Sequence, residues 1–215
     1  MQRSDVWRAF AGAAALALIA TGCSGGSSGK AATSNAKIGE TVEVTPGAVS
    51  VASARLDPPV AVDDATRAQM LDTVKRYVQA ASVDPLHTGR GATTIAPLFT
   101  AAAAARAQGP DRAVILDEGL PAATGGITAK AVPVPITVLA DPTGTLVLAT
   151  AGLDLTVGST TAHGPVAIHR TGSLTLAPDA GAWKIAGFDL SVQRSGKGVE
   201  AAATTKSSTT TSTKG

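Results

Sequence analysis

The chain has 215 residues, a formal net charge of +2 at pH 7 and an aromatic content of 3%. This length suits one domain with room for tails, and so small a charge argues against nucleic acid as a partner. Scarce aromatic residues argue against a base-stacking surface, and a single cysteine, Cys23, excludes an internal disulfide.

The first 22 residues have the pattern of an export signal. Two arginines precede an apolar stretch, and two small residues come directly before Cys23. This cysteine resembles the lipidated cysteine of bacterial lipoproteins, although Ala20 stands where that family most often has leucine. The resemblance implies removal of residues 1–22 and acyl chains such as palmitate on Cys23, which hold the protein on the extracytoplasmic face of the cell membrane. An ordinary secretory signal or an uncleaved anchor are the alternatives.

Low-complexity segments flank the expected domain. Residues 23–60 are predicted to be a tether, because their beginning is rich in Ser, Gly, Ala and Thr and buries little apolar surface. Short strands are predicted within it at 41–45 and 49–54, separated by a Pro-Gly turn. Residues 195–215, rich in Ser, Thr and Lys, are predicted to be a disordered tail, which leaves 61–194 as the folded domain.

The first half of this domain is predicted to be helical. Asp63 or Asp64 is suited to cap a helix that extends to residue 81, because a carboxylate accepts hydrogen bonds from free N–H groups. Apolar residues at helical spacing, with Tyr77 beside them, give the helix one buried face. A loop and two further helices are predicted at 84–91, 95–107 and 111–118.

From residue 131 the apolar period changes to two, which predicts strands. Two prolines place the first strand, at 132–138, at a sheet edge because they lack ladder donors. Three longer strands are predicted to form an antiparallel meander at 146–157, 166–176 and 183–194. Pairing Val157 with Val166 aligns their apolar faces. A phase change at Ala186 and Gly187 predicts a bulge in the last strand.

Helices followed by such a sheet, with Trp183, Ile185 and Phe188 in a bulged last strand, resemble the nuclear-transport-factor-2-like (SnoaL-like) cone. The predicted fold class is therefore α+β, with N-terminal helices packed on a curved antiparallel sheet. Members of that family use the cone as a ligand pocket, for isomerase or hydratase chemistry, or as an interaction surface. The resemblance implies a small apolar ligand or an envelope protein partner, with Arg170, Tyr77, Trp183 and Phe188 as the ligand-binding residues.

Arg170 lies among apolar residues of its predicted strand. It is expected either to enter the cone as an anion receptor or to extend its stem toward water.

A second candidate cluster is polar. The predicted register places His169 opposite Asp154 and beside Ser191, in the order of a catalytic triad. Nothing in the sequence indicates an oxyanion hole, and these residues lie on the sheet face away from the helices, where polar cross-strand pairs are expected.

The remaining charged candidates have simpler interpretations. Asp117 and Glu118 are expected to be solvated or capping charges, and His87 and His163 to lie in turns. No Walker loop, dinucleotide glycine pattern or HExxH string occurs, so the sequence indicates no cofactor and no metal site.

Three functions remain open. The first is a non-catalytic lipoprotein that binds a ligand or partner at the cell surface. The second is an exported isomerase, hydratase or hydrolase, and the third is a structural envelope protein with no pocket. Whether the helix-facing side of the sheet is packed or hollow separates them.

Overall fold

Six strands form one sheet in the computed structural model of the protein, which describes residues 44–52, 60–91, 94–129 and 132–208. The strands are β1 (Val44–Ala52), β2 (Ala123–Ala129), β3 (Val132–Ala140), β4 (Leu146–Thr161), β5 (Gly164–Asp179) and β6 (Ala182–Ser195). The helices are α1 (Asp64–Val78), α2 (Asp84–Thr88), α3 (Ala101–Gln108), α4 (Arg112–Ile115) and α5 (Lys197–Ser208). The predicted α+β class is confirmed. The signal segment, Cys23 and most of the tether lie outside the described residues.

The sheet is mixed. Its order is β1-β3-β4-β5-β6, and β2 pairs with β4 beside this path. Neighbouring strands are antiparallel except β1, which is parallel to β3. The prediction of a purely antiparallel sheet was therefore wrong. Strand β1 precedes all the helices and reaches the sheet by a long crossover, which parallel pairing requires and a hairpin cannot supply.

β3 lies between β1 and β4, so its predicted edge position was also wrong. The described parts of the two short strands predicted within the tether, 44–45 and 49–52, belong to a single strand, β1, whose pairing with β3 is irregular between Pro46 and Val49. At this irregularity a Cβ atom on Gly47 would lie 2.7 Å from the nitrogen of Pro135. The partners of β3 on β4 begin only at Ile136. Both Pro133 and Pro135 thus precede the first residue of β3 that pairs with β4, and Pro135 also faces the irregularity on the β1 side, so neither proline has to donate to a ladder with β4.

Helix α1 begins as predicted. The carboxylate of Asp63 accepts a hydrogen bond from the backbone nitrogen of Thr66 at 2.7 Å, and the N-terminal end of the helix is thereby capped. The helical path then continues through a π-helical segment, Gln79–Val83, directly into α2. The predicted loop over 84–91 was therefore wrong for residues 84–88, which form α2, and His87 lies in this helix rather than in a turn. Pro85 is tolerated in the first helical turn, where its missing N–H is not needed.

The two later helices are shorter than predicted. A 3-10 turn, Ala96–Leu98, precedes α3, and α3 itself begins at Ala101. Pro97 lies within that turn, which is consistent with a tighter start. Helix α4 ends at Ile115, and the chain after it turns into the interior.

The β4–β5 hairpin has a tight turn, since Thr161 pairs with Gly164. His163 lies in this turn, as predicted. Val157 consequently pairs with Ile168 rather than with Val166. The predicted register was wrong by two residues. The faces of the sheet are nevertheless as predicted, because side chains alternate with a period of two and a shift of two preserves the face.

The predicted bulge in β6 is confirmed. Thr175 pairs with Gly187 and Leu176 pairs with Ile185, so Ala186 is the extra residue. In β5, Gly172 adopts a φ of +130°, and a Cβ atom there would lie 2.0 Å from the carbonyl oxygen of Asp189. Only glycine fits this close approach of β5 to β6.

Residues 195–215 were predicted to be a disordered tail, but Lys197–Ser208 form helix α5, so the prediction was wrong for these residues. A Cβ atom on Gly198 would lie 2.6 Å from Cγ2 of Val166, so the helix packs closely on β5. Val199 adds a partly buried apolar contact with the core. The small residues of α5 offer little apolar area, but they let the helix approach β5 closely. Residues 209–215 lie outside the described part of the chain.

One apolar core lies between the helices and the inner face of the sheet. Its largest fully buried apolar side chains are Tyr77, Met70, Leu86, Ile115, Leu116, Ile136, Leu155, Ile168, Leu174, Leu176 and Ile185. Burial of each such side chain contributes about 1.5–3 kcal/mol. The helix-facing side of the sheet is therefore packed with side chains.

Candidate functional site

Arg170 projects from β5 into the core, where its side chain is fully buried. Its Nη2 donates to Oδ2 of Asp117 at 2.7 Å, and its Nη1 donates to the hydroxyl of Tyr77 at 3.2 Å and to the carbonyl of Val114. Its Nε donates to the hydroxyl of Ser82 at 3.4 Å. Four of the five guanidinium N–H groups thus have partners. Arg170 enters the interior, as one of the two expectations held, but the anion that it meets belongs to the same chain.

Asp117 follows α4 and is fully buried. Its Oδ2 also accepts from the hydroxyl of Ser82 at 2.8 Å, and its backbone nitrogen donates to the carbonyl of Ala81 at 2.9 Å. The expectation that Asp117 is solvated was wrong, because guanidinium and hydroxyl donors replace water around it. Glu118, the next residue, is half-buried and forms an ion pair with Arg112.

Arg194 of β6 is the second guanidinium on this carboxylate. Its Nε donates to Oδ1 of Asp117 at 2.8 Å. Its Nη2 donates to the carbonyls of Ala113 and Leu116 at 2.8 and 3.1 Å, which satisfies acceptors at the end of α4 that the helix itself leaves unpaired. The side chain of Arg194 is 26% exposed, so it connects the buried pair to the surface.

Tyr77 completes the buried cluster from α1. Its hydroxyl donates to the carbonyl of Ile115 at 3.1 Å, and its ring packs edge-on against Phe99 with the centroids 6.3 Å apart. Burial raises the pKa of Tyr77 to about 12. The nearby positive charge of Arg170 opposes this shift but is outweighed. Tyr77 is thus a neutral hydrogen-bonding group at any physiological pH.

The other two predicted ligand-binding residues also pack against the protein itself. Trp183 is 7% exposed, and its carbonyl accepts from the hydroxyl of Thr73 at 2.7 Å. Phe188 is half-buried, with its ring edge-on to Phe99 and the guanidinium of Arg106 4.9 Å from its centroid. The structure thus places Arg170, Tyr77, Trp183 and Phe188 on the inner side of the sheet, and they help to fill it.

The polar cluster on the opposite face assembles only in part. His169 Nε2 and Asp154 Oδ1 are 2.8 Å apart, and both side chains are exposed. Their contact is diagonal, because His169 pairs with Thr156. Ser191 lies opposite Thr171, and no hydrogen bond joins it to His169 within the described ranges. The arrangement is an acid–imidazole pair without the hydroxyl of a triad.

The described part of the chain contains neither a candidate metal site nor a candidate membrane-spanning helix. Among residues 44–52, 60–91, 94–129 and 132–208, no group of three His, Cys, Asp or Glu residues is placed to hold a metal ion. Within the same ranges, no helix is both long and apolar enough to cross a membrane.

Open space lies outside the core. The largest groove beside α5, here called the α5 groove, has a volume of about 490 Å³ and is lined on one side by Val199 and Ala202. Its other lining residues include Arg112, Leu116, Leu120 and Arg194. Arg194 therefore belongs both to the buried cluster and to this surface.

The fold and the site together define an α+β protein with a mixed six-stranded sheet and a buried arginine–aspartate pair. No family model matches the chain, and comparisons with curated proteins and with solved structures give no significant match.

Sequence reasoning missed Asp117, Ser82 and Arg194. One signal could have indicated the first of them, because an arginine among apolar strand residues requires a buried anion. Asp117 directly follows the apolar run Val114–Leu116 and precedes Leu120, which makes it the best carboxylate for that role. Serine and the second arginine carry no comparable signal.

Proposed function

We propose that the protein is a non-catalytic lipoprotein of the bacterial cell envelope, anchored by acyl chains on Cys23, whose domain binds a ligand or partner on its outer surface. The observation that supports this proposal is the filled interior. The fully buried side chains of Arg170 and Tyr77 occupy the space in which a cone-type pocket would lie. Because the interior is filled, a ligand or partner would bind at the surface, where the α5 groove is open.

We also propose that the domain is a variant of the nuclear-transport-factor-2-like cone. Support comes from the order of the elements, with α1 to α4 before the long antiparallel strands β4, β5 and β6, and from the bulge at Ala186. The parallel strand β1 is an addition to this arrangement.

A structural role in the envelope is the second candidate, and the same filled interior favours it. The exported-enzyme alternative gains less support. Its histidine and aspartate, His169 and Asp154, are exposed on the outer face, and Arg170, the expected anion receptor, is neutralised by Asp117.

Membrane fractionation tests the anchor. The full chain expressed in a bacterium is expected to stay in the membrane pellet after a high-salt wash, because hydrophobic anchoring is not screened as charge attraction is. Cys23→Ser is expected to release the protein, whereas the matched control Ser27→Ala is expected to leave it in the pellet. Retention of the serine variant in washed membranes would contradict lipid anchoring at Cys23.

Organic extraction separates a binding role from a structural one. The protein purified from membranes is extracted, and the extract is compared by mass spectrometry with that of a mock preparation. A ligand-binding protein is expected to yield a compound enriched over the mock preparation, in an amount approaching one per chain. Recovery of nothing above the mock preparation, together with no co-purifying protein, would favour the structural role.

A further inference from the structure

The α5 groove has the size of a ligand site. Its volume of about 490 Å³ lies within the range of about 300–1,000 Å³ that small-molecule sites occupy. The residues Gly119, Leu120 and Ala202 also line a smaller neighbouring groove of about 270 Å³. The two grooves therefore adjoin at these residues.

The walls of the groove are mostly apolar. Pro110, Leu116 and Leu120 line one side, and Val199 and Ala202 of α5 line the other. The alanine side chains of α5 are too short to fill the space between the helix and the segment that follows α4. An aliphatic chain matches such walls, because each methylene group that it buries there is removed from water.

Arg112, Arg194 and Glu118 line one end of the groove, and the cluster that they form with the buried Asp117 and Arg170 has an excess of positive charge. Three guanidinium groups, of Arg112, Arg170 and Arg194, are paired with only two carboxylates, of Asp117 and Glu118. Both arginines that reach the groove, Arg112 and Arg194, use their Nε and Nη2 atoms in hydrogen bonds within the protein. Their Nη1 atoms have no hydrogen-bond partner within the described ranges. One monoanion would balance this cluster and accept from those donors.

We infer that the α5 groove binds the anion of an aliphatic carboxylic acid, with the carboxylate at Arg194 and Arg112 and the chain along α5. This inference deepens the proposed ligand-binding role and rests on it. The ligand class follows from the single unbalanced charge at one end and the apolar walls beside it. A carboxylate has two oxygens and one charge, which suits a pair of guanidinium donors.

Isothermal titration of the mature chain carrying Cys23→Ser tests the inference with dodecanoate as the probe, below its micelle concentration. Saturable binding with a stoichiometry of one is expected. Dodecyltrimethylammonium, which has the same tail and the opposite charge, is expected to bind at least about tenfold more weakly. Equal binding of the two probes would overturn the inference, because it would show that the tail alone is recognised.

Two variants locate the binding. Ala202→Trp fills the groove without altering a charge and is expected to weaken dodecanoate binding at least about tenfold, the loss expected when two methylene groups are excluded. Ala105→Trp, at an exposed position of α3 outside the groove, is the matched control and is expected to bind as the parent does. Arg194→Gln is expected to weaken binding of dodecanoate but not of dodecanol, and circular dichroism verifies that it folds.

The failure of this inference is distinguishable from that of the proposed function. Undiminished dodecanoate binding by Ala202→Trp would overturn the site. Absence of dodecanoate binding would overturn the ligand class, while a different compound in the organic extract would leave the proposed function standing. Only the absence of both would contradict the two proposals together.

Discussion

Asp117 neutralises the buried charge of Arg170 in the core. It receives both guanidinium groups, and the side chains of Asp117 and Arg170 are both fully buried. Asp117→Ala is expected to lower the free energy of unfolding by about 3–5 kcal/mol, because it leaves a buried positive charge without its partner. Chemical denaturation measures this loss. Glu118→Ala, which removes a half-buried carboxylate at the adjacent position, is the matched control and is expected to cost less than about 1 kcal/mol.

The pair itself is expected to be replaceable. In the double variant Arg170→Met and Asp117→Leu no charge is left unpaired in the core, and Arg194, whose side chain is already 26% exposed, can turn toward solvent. The double variant is therefore expected to be more stable than Asp117→Ala alone, since apolar replacement of a buried ion pair is often neutral or stabilising. A double variant whose loss equals the sum of the losses measured for Arg170→Met and for Asp117→Leu would show that the pair is not coupled.

Tyr77 gives a spectroscopic test of the same cluster, because it is the only tyrosine in the chain. Its pKa is raised from 10.0 to about 12. A raised pKa in the folded state means that the stabilisation is complete below pH 10 and is lost as the pH rises toward 12. Near-ultraviolet absorbance is expected to show little tyrosinate, roughly a tenth or less, in the native protein at pH 10.5–11, but mostly tyrosinate in urea at the same pH. If Tyr77 titrated in the native protein near the ordinary tyrosine pKa of 10.0, this would contradict its burial.

Local chemistry made some residues predictable and others not. The Asp63 cap and the burial of Tyr77 follow from patterns within one turn of helix. The contact between Asp117 and Arg170 joins residues 53 positions apart, and no local pattern specifies which carboxylate a buried arginine will meet. The sequence could therefore predict that Arg170 is unusual, but not that it serves the protein's own core.

At the scale of elements, the faces of the sheet were predictable and their register was not. Alternation with a period of two fixes which residues point inward, but registers that differ by two residues have the same faces. The tight turn at Thr161 and Gly164 determines the actual register. The bulge at Ala186 was predictable because it changes the phase itself. The short strand β2 was missed, since Ile127 is its only buried residue and two glycines precede it.

Trp183 and His169 test the two faces of the sheet. Trp183→Ala is expected to cost about 3–5 kcal/mol of unfolding free energy, because its ring is almost fully buried at the start of β6. His169→Ala is expected to cost no more than about 0.5–1 kcal/mol, because its pairing with Asp154 is exposed. Urea denaturation compares the two variants. A severe loss at His169 with a mild loss at Trp183 would mean that the faces are reversed.

At the scale of the whole molecule, the class was predictable but its boundaries were not. Helices before strands follow from the change of apolar period. The membership of β1 and α5 in the domain depends on contacts with β3 and β5, which lie far away along the chain. From the sequence, β1 was placed in the tether and α5 in the tail because both segments are poor in large apolar residues. Such segments were expected to remain unpacked.

Truncation tests where the domain begins. A chain that starts at residue 57 lacks β1 and loses the partly buried Val44 and Val49 along with the ladder to β3. We expect a loss of about 2 kcal/mol of unfolding free energy, or roughly 4–8 °C in melting temperature for a domain of this size. Removal of residues 209–215 is the control and is expected to leave the melting temperature unchanged. Equal melting of the chain that starts at residue 57 and the full mature chain would show that β1 adds no stability, and that the domain begins near residue 61, as the sequence indicates.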